Sequence, residues 1–177
     1  MQPKSLSLLA AHLHIASTAL LPPTRNALTL PPLPQNHTSS TIFERIDYLV
    51  PQTTTFISAL LHTTHALPAM EVEIVLSAIE QQLTNHISTH GDGPLSVADD
   101  PYEYGLPGCY CSTSSASDDS LSYGVLRDTM RGLQHVMVGG GRFFVAFYDI
   151  SEGGAGGRSL GEGNVESKGP EVVKGLR

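Results

Sequence analysis

A chain of 177 residues with 40% hydrophobic and 15% charged residues is long enough to bury about two-thirds of the surface its unfolded form exposes, so one conventional core is expected. The net charge of -7 is unevenly spread: between Arg45 and Arg127 there is no lysine or arginine, while that span carries ten acids from Asp47 to Asp119. Nucleic-acid binding needs clustered cations that release counterions from phosphates, which argues against that class of partner and leaves a solubilising acidic face, or a surface for a cation or a basic partner.

The chain opens with Lys4, a run of Leu6, Leu8, Leu9, Ala10, Ala11, Leu13, Ile15 and Ala16, and the small residues Ser17, Thr18 and Ala19. This order resembles a secretory signal, and an extracellular location is the expectation. The alternative is an accessory helix on a cytoplasmic protein. The run is too short for a transmembrane helix, which takes about 20 apolar residues. Asn36-His37-Thr38 is a glycosylation sequon that a secreted chain could use. Pro22, Pro23, Pro31, Pro32 and Pro34 make an extended arm of the stretch before residue 42. The expected organisation is a signal-like or accessory segment and arm over 1–41, one domain over 42–166, and a loose tail over 167–177.

Residues 42–50 read as a strand broken by Pro51, and 53–62 as a second with a threonine-rich start. Over 69–89, Val72, Val75, Leu76, Ile79, Leu83, His86 and Ile87 recur at three- and four-residue intervals, forming one apolar helix stripe. Glu71 and Glu73 complement the positive end of its dipole, and Gly91 supplies the stop. The Gly-, Pro-, Ser- and Asp-rich stretch 91–120 is too long for a structureless loop, which places a short strand or hairpin near 102–111. Asp118, Asp119 or Ser120 then caps a second helix over 121–138, ended by Gly139-Gly140-Gly141. Residues 142–150 are apolar on both faces, the pattern of a central strand, with Phe147 expected against the second helix. A glycine-rich turn at 152–157 returns the chain as a strand over 158–166. Helices set apart from hairpins indicate an α+β fold: an antiparallel sheet of about four to five strands with two amphipathic helices packed on one face.

Three blocks stand in a recognisable order: Tyr48-Leu49-Val50-Pro51 with the threonine-rich strand; Glu73 to Asp100 with Gly91-Asp92-Gly93 and Asp100-Pro101; and Leu121-Ser122-Tyr123-Gly124-Val125-Leu126 leading to Phe143-Phe144-Val145. Together they resemble a family of small uncharacterised proteins from filamentous fungi, across about residues 42–166. That family has no established activity, so the resemblance implies no catalytic or binding residue.

Candidate chemistry is sparse. His86 and His90 stand four apart on the first helix, a spacing that suits zinc, with His62, His65 and Asp92 as further donors. Their alternative role is to roof the lower core with ring nitrogens bonded to backbone carbonyls. Cys109 and Cys111 read as two loop thiols, too close for an unstrained disulfide and without a second pair for structural zinc. Gly157-Arg158-Ser159-Leu160-Gly161 matches a nucleophile motif formally but sits at a strand start, without the strand-to-helix elbow that exposes the hydroxyl. The glycines of 153–163 lack a following helix N-terminus to bind phosphate and read as a hairpin turn. No catalytic, cofactor or metal residue is therefore assigned. The expectation is a small non-enzymatic domain acting through its surface on a protein or small-molecule partner. The alternative is a metal-binding protein or hydrolase built on His86, His90 and the Asp-rich loop.

Overall fold

Three hairpins build the sheet. In the computed structural model, which describes residues 42–117 and 120–167, β1 (Phe43–Leu49) and β2 (Thr55–Ala66) form a hairpin. After α1 (Ala69–His90) comes a second hairpin, β3 (Tyr102–Leu106) and β4 (Cys109–Ser115). α2 (Tyr123–Leu133) continues into a π-helical turn over Gln134–Gly139, and β5 (Phe144–Glu152) with β6 (Arg158–Glu166) closes the domain. All pairings are antiparallel, in the order β1-β2-β5-β6-β4-β3. The last hairpin thus sits between the first two, so the sheet closes only when the end of the chain is in place.

Among the described residues the α+β class, the single antiparallel sheet and the two helices stand as expected, but the sheet has six strands, not four to five. The extra count comes from the 91–120 stretch, where β3 and β4 are both full members of the sheet. β4 reads Cys-Tyr-Cys-Ser-Thr-Ser-Ser, a weak strand signal that the ladder offered by β6 overrides.

Both helices cover one face. α1 lies over β3 and β4, α2 over β2, and the helices pack on each other. Val72, Val75, Leu76, Ile79 and Leu83 are buried from α1, and Leu126, Met130 and Leu133 from α2. They meet Ile57, Ala59, Leu61, Ala146, Tyr148, Ile150, Cys111 and Val165 from the strands. Glu80 joins the helices at the surface, accepting from Arg131 Nε at 3.2 Å and Gln134 Nε2 at 3.1 Å. α2 approaches the sheet through Gly132, where a Cβ would press on the side chains of Ile57 and Val50.

Three expectations are corrected here. Phe147 does not face α2: it points to the other side of the sheet and is 47% exposed, while its neighbour Tyr148 is 2% exposed beneath the helices. An all-apolar strand has no inherent sense of which alternate set faces inward; the registers Ala59↔Tyr148 and Tyr148↔Gly163 decide it. The cap of α2 is Ser122, whose Oγ accepts from Val125 N at 3.2 Å. Ser120 instead is buried and donates to the Leu160 carbonyl at 2.7 Å, and Asp118 and Asp119 lie outside the described residues. Cys109 and Cys111 are not loop thiols but buried members of β4.

Gly91 ends α1 as expected. Its φ of 86° and ψ of 170° place it in a region that essentially only glycine occupies, and its N–H reaches the Ile87 carbonyl at 2.8 Å. No atom lies near enough to obstruct a side chain, so backbone strain alone sets the effect of substitution. Gly91→Val is expected to lower stability by about 1 to 3 kcal/mol, read as a lower melting temperature. An equal or higher melting temperature would show that the helix exit tolerates a side chain.

Candidate functional site

Among the described residues the second face of the sheet carries no helix, and the strand registers define what it displays. One row across it reads Asp47, Ser58, Asp149, Glu162 and Ser114; the next reads Arg45, Leu60, Phe147, Asn164, Ser112 and Glu103. A depression of about 480 Å³ lies along these rows, floored by Leu60 and Phe147 and edged by Arg45, Asp149, Glu162 and Asn164. Leu60 is 39% and Phe147 47% exposed. An aromatic ring left in water in the third strand of six costs burial free energy that the same ring beneath the helices would gain.

The charge of this face is negative. Arg45, its cation, is held by Asp47, with Nε 3.1 Å from Oδ1, and Ser58 Oγ donates to the same oxygen at 2.8 Å. These bonds, Ser58 first, hold the Asp47 carboxyl below its ordinary value. Asp149 and Glu162 stand directly opposite one another in the β5–β6 register, and neither has an ion pair among the described residues. Like charges directly across an antiparallel pair are destabilising. The arrangement offers an apolar, aromatic floor beside two uncompensated carboxylates. It can hold a cation and pack the stem that carries it.

The sequence-derived candidates lie elsewhere and do not converge. His86 stacks on Tyr123 with ring centroids 4.0 Å apart, and His90 is tilted against His86 at 4.7 Å. His90 Nδ1 bonds the His86 carbonyl at 3.3 Å, but its ring is exposed and does not roof the core. Asp92 is committed to the start of α2, accepting from Gly124 N at 2.8 Å. Asp99 accepts from Tyr123 Oη at 2.7 Å and from Ser96 Oγ at 2.7 Å. Burial, then the Asp99 bond, raises the Tyr123 phenol above its ordinary pKa. These contacts tie the 91–101 loop to α2. His62 and His65 form a separate pair on β2. Among the described residues, no group of three or more His, Cys, Asp or Glu side chains is placed to hold a metal ion. Ser159 lies exposed on β6, without the elbow its motif would need.

The cysteines are equally unsuited to nucleophilic work. Burial pushes the Cys111 thiol up to about 11 and Cys109 to about 12, from an ordinary 9.0. Cys111 Sγ packs 3.6 Å from Tyr148 Oη and 4.0 Å from Met130 Sδ. Raised values mean that the folded state favours the protonated thiols. That contribution is complete below about pH 9 and is lost as pH rises through about 11 to 12. The urea midpoint is therefore expected to hold near neutrality and to fall in that alkaline window, less steeply in Cys111→Ala. A midpoint that stays level to pH 11 would contradict the burial argument.

No family model, no curated protein and no solved structure matches the chain. No helix among the described residues is long and apolar enough to cross a membrane. The uncovered face was not singled out from sequence, although Ser58, Ser112, Ser114, Glu162 and Asn164 at alternate strand positions are its signal. Their grouping depends on β6 lying between β5 and β4, a long-range pairing that no local pattern encodes.

Proposed function

We propose that this is a non-enzymatic binding domain whose uncovered sheet face receives a positively charged protein segment. The observation that carries the reading is Phe147 exposed in the depression beside the unpaired carboxylates of Asp149 and Glu162. A lysine or arginine side chain would lay its aliphatic stem on Leu60 and Phe147 and its charge between the carboxylates. A second copy of this chain is a poorer occupant, because the two faces would bring acids against acids. Membership in the fungal family and secretion belong to the same reading, supported by the quoted blocks and by the apolar run after Lys4. A reporter fused behind residues 1–25 in a fungal host tests secretion, and retention inside the cell would count against it.

The binding reading is tested by amide chemical shifts of the chain titrated with octa-arginine and, in parallel, octa-glutamate. Shifts confined to Ser58, Leu60, Phe147, Asp149, Glu162 and Asn164 are expected with the basic peptide alone. The double variant Asp149→Lys, Glu162→Lys should weaken binding at least about tenfold, the loss of about 1.4 kcal/mol, and Phe147→Ala should weaken it with the charge unchanged. Shifts spread over the helical face, or none, would overturn the reading.

A further inference from the structure

The end of β2 holds an arrangement that the sheet does not require. Its pairing with β5 jumps from His62↔Val145 to Ala66↔Phe144, so residues 63–65 bulge out of the ladder. Bulges re-aim side chains, and this one folds His65 back on His62. The two Nδ1 atoms are joined by a hydrogen bond of 2.8 Å, one ring donating and the other accepting, with ring planes at 88°. Thr64 Oγ1 lies 3.0 Å from the first Nδ1 and 3.2 Å from the second. On its other side the His62 ring is set by the edge of Phe43, at a centroid distance of 4.6 Å. Thr63 closes the base of the bulge by bonding the Ile42 carbonyl, through N at 2.9 Å and Oγ1 at 3.0 Å.

We propose that His62 and His65 form a two-imidazole site for a divalent ion of square-planar or tetragonal preference, copper(II) foremost. The close approach of the two nitrogens favours a right-angled edge over a tetrahedral one. Two imidazole nitrogens bound at about 2.0 to 2.1 Å and at right angles stand about 2.8 to 3.0 Å apart, whereas tetrahedral zinc separates them to about 3.3 Å. Binding an ion replaces the hydrogen bond between the two rings, the donating ring taking the tautomer with its proton on Nε2; from 2.8 Å the nitrogens have less far to move to the right-angled edge than to the tetrahedral one. Among divalent first-row ions, copper binds such nitrogen donors most tightly. The Thr64 hydroxyl, hydrogen-bonded to both Nδ1 atoms, gives up those bonds when the nitrogens take an ion, and His62 keeps its orientation against Phe43. His86 and His90 do not offer the same edge, since His86 is stacked on Tyr123 and His90 Nδ1 is turned to a backbone carbonyl. His62 lies on the same face as Leu60, one row on, but neither histidine lines the depression proposed to bind a basic segment.

The test is calorimetric titration of the full chain with copper(II) chloride, with electron paramagnetic resonance of the bound ion. Histidines outside the bulge are separated from it by variants. His62→Ala and His65→Ala are each expected to weaken one equivalent at least about tenfold and to reduce the nitrogen hyperfine pattern, whereas His86→Gln with His90→Gln should leave that equivalent in place. Circular dichroism in EDTA checks that each variant folds, and His62→Gln and His65→Gln replace any alanine variant that does not. Absence of copper binding by the parent chain would overturn the proposal. So would a titration and spectrum unchanged in the His62 and His65 variants, or a loss that follows His86 and His90 instead.

Discussion

Tyr148→Ala is expected to lower the stability of the domain by about 3 to 5 kcal/mol, while Phe147→Ala, one residue away, should change it by less than about 1 kcal/mol. The contrast follows from the pleat. Tyr148 is 2% exposed under the helices, and its hydroxyl lies 2.6 Å from Thr113 Oγ1 and 3.3 Å from the Ser112 carbonyl. Removing the ring empties a packed site and leaves Thr113 without its partner in a dry interior. Removing Phe147 takes a half-exposed ring from a face that nothing among the described residues covers. Burial pushes the Tyr148 phenol well above its ordinary value, so the hydroxyl is neutral near neutral pH and keeps its bond to Thr113 there. Tyr148→Phe, which keeps the ring, should cost only about 1 kcal/mol. Urea unfolding of the variants at one pH measures all of this. The assignment of faces fails if the two alanine variants are equally destabilised, or if Phe147→Ala is the worse. A loss of 3 to 5 kcal/mol is a large share of the about 5 to 15 kcal/mol that holds a domain together, so Tyr148→Ala is best read in the presence of a stabilising osmolyte.

Local pattern made the helices legible and left the sheet half read. The stripe from Val72 to Leu83 and the exit at Gly91 are set by residues within a few turns of each other, and both stand in the structure as expected. The sides of β5 could not be settled in that way. Phe143, Phe144, Val145, Phe147, Tyr148 and Ile150 are apolar in both alternations, and only the position of β6 and the glycine opposite Tyr148 separates them. The cap of α2 was displaced by two residues because Ser120 and Ser122 are equally good capping residues; a buried acceptor, the Leu160 carbonyl, draws Ser120 away. The two acids that mark the uncovered face, Asp149 and Glu162, fall outside the acid-rich span from Asp47 to Asp119. They become neighbours through cross-strand register alone. The pair His62 and His65 was visible in the sequence, but not the bulge that brings their nitrogens together. That bulge depends on where Phe144 and Val145 meet β2.

Gly163→Ala should be the most damaging single-methyl change on the sheet, lowering stability by about 1 to 3 kcal/mol. Alanine in a strand normally stabilises relative to glycine, because glycine loses more backbone freedom on folding. Here the sign reverses. A Cβ on Gly163 would lie 2.5 Å from Cζ and Oη of Tyr148 and against the Ser112 carbonyl oxygen. The ring crosses the glycine to reach Thr113, so the missing side chain is the space the tyrosine occupies. Rotating the ring away breaks its bond to Thr113, and shifting the Ser112 carbonyl disturbs the β4–β6 ladder. Double-variant analysis separates these two costs. In a Tyr148→Ala background the penalty of Gly163→Ala should shrink by at least about 0.5 kcal/mol, since the ring no longer objects, but it should not vanish while the Ser112 carbonyl remains in place. Simple additivity of the two changes would show that the ring and the glycine are energetically separate. A Gly163→Ala variant as stable as the parent would mean that the tyrosine does not cross the strand there at all.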